Sequence, residues 1–84
     1  MNITDLDREE IAKIVSLGNI DKTFTKRLLD LGIYESATVV MLNKLSSNRL
    51  YVIEVDDVEI CLRKEDAEMI EVRKWYIYSP GIQM

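Results

Sequence analysis

The period of apolar and polar positions changes along the chain, and each change predicts an element. Ile11-Ala12-Lys13-Ile14-Val15-Ser16-Leu17 is short, apolar and rich in β-branched residues, the composition of a buried strand. Gly18-Asn19 ends it. Further on the spacing lengthens. Phe24, Leu28 and Leu31 stand at i, i+4 and i+7, one stripe of a helix predicted over residues 22–31. Asp21 or Thr23 supplies a hydroxyl or carboxylate for its first amides. Lys26 and Asp30 pair at i, i+4 on its outer face. Gly32 follows directly, where a left-handed closing residue is cheapest without a Cβ.

Downstream the period shortens to two. Thr38-Val39-Val40-Met41-Leu42 reads as a second strand and Ser46-Ser47-Asn48 as a turn. Leu50 to Val55 reads as a third strand, with Leu50 and Val52 on one face. Asp56-Asp57 makes a tight hairpin. In Val58-Glu59-Ile60-Cys61-Leu62-Arg63 the alternation turns Val58, Ile60 and Leu62 inward and Cys61 outward. Lys64 to Met69 is one helical turn, and Ile70-Glu71-Val72 returns as a strand with Ile70 and Val72 inward. Near the N-terminus, Ile3 and Leu6 form one apolar edge of a turn that Thr4 would cap. This order is mainly β with a short helix (α+β): a small barrel of five to six short strands, flanked or plugged by the helix. Residues 1–74 form the barrel. Residues 75–84, which hold Trp75, Tyr76 and Tyr78, form an aromatic tail or a strand extension that runs to about Tyr78.

Length permits one small domain: 84 residues, which bury about 60% of the unfolded chain's surface. The net charge of −4 argues against nucleic acid as the partner, because domains that track phosphates are basic. Lys22, Lys26 and Arg27 cluster on the helix, but no aromatic is interleaved to stack a base. No run of apolar residues is long enough to span a bilayer, so contact with a membrane is expected only through a partner. The acidic beginning (Asp5, Asp7, Glu9, Glu10) is unlike a secretory leader.

Candidate chemistry is sparse. The chain holds no histidine, which removes the usual general base and the commonest transition-metal ligand. A single cysteine, Cys61, excludes an internal disulfide and fits a reducing cytoplasm. Asp5, Asp7 and Glu9 alternate like the start of a calcium loop, but the turn glycine and the distal bidentate Glu are missing. Asp56, Asp57 and Glu59 offer oxygen ligands only at a hairpin tip, where solvated acidic side chains are the rule. No catalytic residue, cofactor or metal ligand is assigned, and an enzyme is not expected. What remains is a binding module acting through its surface. Leu29 lies off the helical stripe, so two readings stay open for it: core, or apolar contact with a partner.

Two segments carry a resemblance. Lys26-Arg27-Leu28-Leu29-Asp30-Leu31-Gly32-Ile33 resembles the hallmark of the FeoA family (ferrous iron transport protein A): a basic pair, two leucines, then Leu-Gly and an aliphatic. Ile60-Cys61-Leu62-Arg63-Lys64-Glu65-Asp66-Ala67-Glu68-Met69-Ile70-Glu71-Val72 is similar to the family's closing segment, an aliphatic strand, an acidic helical turn and Ile-x-Val. Where the family usually has Pro-Gly after the first motif, this chain has Glu35-Ser36. Where it often has Gly-Asp-Pro between the middle strands, this chain has Leu45-Ser46-Ser47-Asn48. The usual glycine of the next hairpin is replaced around Asp56-Asp57.

The resemblance implies an SH3-like β-barrel of the cytoplasm and a partnership with FeoB, the membrane ferrous-iron transporter that carries a cytosolic GTPase domain. The expected role is a regulatory adaptor. Lys26, Arg27, Leu29 and Tyr34 are its expected contacts, the basic pair meeting an acidic patch and Leu29 adding apolar area. Similar barrels end the iron- and manganese-dependent repressors. The alternative function is therefore a metal-responsive module that self-associates as a homodimer, with Trp75 and Tyr76 as the expected contacts.

Overall fold

Short β-branched segments joined by tight turns must find their apolar partners in neighbouring strands, since none of them buries its side chains alone. The computed structural model describes residues 1–18 and 21–75 and shows how they do so. The strands are β1 (Ile11–Ser16), β2 (Thr38–Leu45), β3 (Leu50–Val55), β4 (Val58–Arg63) and β5 (Glu71–Lys74). They form an antiparallel sheet in the order β4-β3-β2-β1-β5. Helix α1 (Lys22–Asp30) lies between β1 and β2, and the single turn α2 (Lys64–Ala67) between β4 and β5. The sheet edges β4 and β5 share no ladder among the described residues. Closure comes instead from α2, which joins those edges, and from a 3-10 turn at Ile3–Asp5. The barrel of five to six short strands and one helix expected from the alternation is present with five strands, and the expected turns at the N-terminus and after β4 are the 3-10 turn and α2.

One face of every strand enters a single core. Ala12 and Ile14, Val39 and Met41, Tyr51, Ile53 and Val55, Ile60 and Leu62, and Val72 are buried in it. Ile3 and Leu6, Ala67 and Ile70 close the core from the turns. A fully buried aliphatic of this size contributes about 1.5–3 kcal/mol, so these positions dominate the stability. Bulges re-aim two strands. The ladder skips between Met41 and Asn43 against β3, and between Ile14 and Ser16 against β5. Val15 keeps to the outer face with Lys13, 40% exposed, and past the second bulge Leu17 is buried.

Several sequence expectations need correction. Val58 is 55% exposed, not inward, because it flanks the turn and overhangs the core. Leu31 is 46% exposed, because α1 ends at Asp30 and the chain turns away there. In β3 the buried set is Tyr51, Ile53 and Val55, opposite in phase to the half-buried Leu50 and Val52. The N-terminal turn is capped by Asn2, not Thr4. The Asn2 side chain accepts from the Thr4 amide at 2.9 Å, and the Asn2 amide donates to the Asp5 carboxylate. Strand β2 runs three residues past the predicted end at Leu42, to Leu45. The strand extension at Tyr76 and Tyr78 lies outside the described residues.

Candidate functional site: the outer face of helix α1

Helix α1 starts where Asp21 leaves the extended region and its carboxylate accepts from the Thr23 amide at 2.9 Å. It ends at Leu31, whose amide bonds back into the last turn, and the chain reverses through Gly32 at φ +96°. The Ile33 amide then donates to the Leu28 carbonyl at 2.9 Å, which brings Ile33 into the core. Leu28 is the one fully buried side chain of the helix; Phe24 is half-buried against the core. Thr25 is half-buried as well, and the other α1 side chains are exposed.

The expected contact residues take different directions. Leu29 is 52% exposed, which decides between its two readings: it is not core. Lys26 is exposed and pairs with Asp30 at 3.4 Å. Lys26 and Leu29 line one open groove of about 380 Å³. Arg27 faces the other way. Its guanidinium lies over the Phe24 ring at 5.5 Å and reaches Asp66 of α2 at 3.4 Å. Tyr34 lies beyond the helix, 39% exposed, and its hydroxyl donates to Asp56 in the β3–β4 turn at 2.7 Å. This hydrogen bond, with some burial and the Asp56 charge behind it, raises the phenol above its ordinary value.

Sequence reasoning missed the rest of the groove. Lys22 and Thr25 complete the helical wall with Lys26 and Leu29, at i, i+3, i+4 and i+7. That spacing was readable in the helix. The opposite wall, Leu17, Gly18 and Glu35, was not, because residues so far apart in sequence meet only in the fold. The groove is amphipathic: two lysines and two acids (Asp21, Glu35) around Leu17 and Leu29. Such a surface suits a protein segment with apolar and charged side chains together. Among the described residues no three Cys, Asp or Glu side chains gather as metal ligands. Among the described residues no helix is long and apolar enough to cross a membrane.

Comparison with known proteins fits this geometry. Twenty-one solved chains match significantly. The FeoA protein of Chlorobium tepidum superposes with a TM-score of 0.82 at 20% identity, over 95% of this chain and 75% of that one. The FeoA of Stenotrophomonas maltophilia, solved with zinc, gives 0.74 at 21% identity over 87% and 89% of the two chains. That protein is described as a prokaryotic SH3 domain protein and a candidate activating factor of bacterial ferrous iron transport. A manganese-dependent transcriptional repressor gives 0.81 at 12% identity, over 89% of this chain but 41% of the repressor. At these identities the likeness shows a shared SH3-like fold. No curated protein sequence matches. The family model for the FeoA domain matches residues 1–74, and the chain belongs to the FeoA family.

Proposed function

We propose that this protein is a cytosolic accessory factor of ferrous iron uptake, working by contact with a FeoB-type transporter and its GTPase domain and carrying out no catalysis of its own. Membership in the FeoA family over residues 1–74 is the observation that carries this reading. The description of the Stenotrophomonas maltophilia relative as a candidate transport-activating factor supports it. The exposed α1 face supports it too. Leu29 is apolar area left in water beside Lys26 in an amphipathic groove, and taking such area out of water drives association. Arg27 and Tyr34 extend the contact on either side of the helix.

The test is co-purification of tagged transporter with the accessory protein from detergent-solubilised membranes, together with ferrous iron uptake by the cells. Leu29→Ala with Arg27→Ala should reduce recovery of the complex at least about tenfold, since two hot-spot truncations of 1 kcal/mol or more suffice. The melting temperature should fall by no more than a few degrees, because both side chains are about half exposed and the Arg27–Asp66 pair adds at most about 1 kcal/mol. Unchanged recovery from the double variant would remove the α1 face as the contact. Failure of the wild-type protein to associate at all would remove the partnership.

A further inference from the structure

Strand edges are where a sheet is open to another chain. One edge of this sheet is covered by the N-terminus. Along β5, Val72 donates to the Met1 carbonyl at 2.8 Å and Glu71 bridges to Asn2. The other edge, β4, has no strand beside it among the described residues.

The orientation of β4 can be worked out from its hairpin. Asp56 and Asp57 both have positive φ, 52° and 67°, the mark of a two-residue turn of the primed type. Such a turn directs the Val58 amide to the Val55 carbonyl. Ladder bonds alternate, so the backbone groups of Val58, Ile60 and Leu62 serve β3 and those of Glu59, Cys61 and Arg63 point away from it. The side chains of Glu59, Cys61 and Arg63 are exposed. Glu59 also stands directly across from Glu54 of β3, and the described residues give neither carboxylate an ion pair. Two like charges opposite each other on a sheet are destabilising.

We propose that β4 pairs antiparallel with β4 of a second copy of this chain, about a two-fold axis at Cys61. In that register the outward backbone groups meet their like, and Cys61 faces Cys61 of the second copy. Glu59 faces Arg63 at both ends of the new ladder. The guanidinium meets the carboxylate that Glu54 leaves uncompensated. Arg63 contacts Asp66 of its own chain at 3.4 Å, and its side chain is 67% exposed. The guanidinium has donors to spare for a second acid. An axis at Glu59 would oppose two carboxylates, and one at Arg63 two guanidiniums, so the charges select the Cys61 register. Pairing through one edge strand buries less than a standard interface, and the dimer is weak and concentration-dependent. It does not depend on the transporter contact above.

Sedimentation equilibrium of the full chain in reducing buffer, over a wide concentration range, tests this. The wild type should show a monomer–dimer equilibrium. Glu59→Arg alone, or Arg63→Glu alone, puts like charges at both ends of the ladder and should raise the dissociation constant about tenfold. The double variant Glu59→Arg, Arg63→Glu should restore it. Arg63→Glu also removes the Asp66 contact; should that variant not fold, Glu59→Arg carries the test, since its new arginine meets Glu54 in its own chain. A short bismaleimide should join wild-type chains through Cys61 and fail with Glu59→Arg. A wild type that stays monomeric throughout overturns the proposal. So does a dimer indifferent to these reversals, or one that Trp75→Ala abolishes while they leave it intact.

Discussion

Tyr34 shows what one hydrogen bond fixes. Its hydroxyl donates to Asp56 at 2.7 Å and ties the segment after α1 to the β3–β4 turn, 22 residues away in sequence. The bond holds only while the phenol keeps its proton, and Asp56 raises the phenol's pKa for that reason. A raised folded value means stability that is fully present below the unfolded value of about 10 and lost as pH climbs through the folded one. Tyr34→Phe should therefore lower the melting temperature near neutral pH, and the deficit should shrink in alkali. A deficit that stays constant with pH would show that the bond is not what Tyr34 supplies. Glu10 has the opposite sign. The Asp7 amide donates to it at 2.7 Å and Lys74 pairs with it at 2.9 Å, and these, in that order, lower its pKa. Its contribution is present above the usual carboxyl range and disappears as pH falls through the lowered value. Glu10→Gln should cost stability at neutral pH and nothing in acid, measured as the difference in melting temperature along a pH series.

Turns are the elements in which this chain stores strain. Among the described residues, seven that are not glycine sit at positive φ: Glu9, Ser36, Ser46, Ser47, Asn48, Asp56 and Asp57. A left-handed residue with a Cβ costs about 1–2 kcal/mol, less for Asn and Asp. Ser36, Ser46 to Asn48 and Asp56-Asp57 thus hold with a side chain a conformation that glycine adopts without that cost. Asp57→Gly should recover about 1 kcal/mol by giving the Asp-Gly pair that primed turns prefer, which is about 4–8 °C in melting temperature for a domain this small. No rise would mean that the glycine's greater freedom in the unfolded chain cancels the relief. The turns were readable from their Ser, Asn and Asp content, and the strands from alternation, because burial on one face imposes a period of two. The places where pattern failed have a common cause. Val58 and Leu31 belong to the right face of their elements but sit at the end, past the edge of the core. The outward face of β1, Lys13 and Val15, is hard to see in a run where every residue but two is apolar. The far wall of the α1 groove was invisible for a different reason, since Glu35 and Leu17 are neighbours only because Ser36 donates to the Ile14 carbonyl at 2.8 Å.

At the scale of the molecule, the barrel and α1 are unequally attached. The strands share ladders and one core, whereas α1 is held by Leu28, by the half-buried Phe24 and by the exposed pair of Arg27 with Asp66. An exposed ion pair adds at most about 1 kcal/mol, so most of the attachment is apolar and rests on one leucine. A segment with so few buried contacts opens at a lower free energy than the whole fold. Hydrogen exchange should accordingly find the amides of α1 exchanging faster than those of β2 and β3. Leu28→Ala should widen that gap, because truncating a buried leucine costs about 2–5 kcal/mol and here the loss falls on the helix first. If the helix carries the partner contact, the same variant should weaken binding to the transporter although Leu28 is buried and touches no partner, since association would then have to reorder α1 at its own expense. Leu29→Ala, by contrast, should weaken binding and leave exchange from α1 unchanged. Equal protection of helix and sheet in the wild type, or a Leu28→Ala variant that unfolds α1 and the strands in one step, would mean that the helix is an integral part of the barrel and that its outer face is presented rigidly.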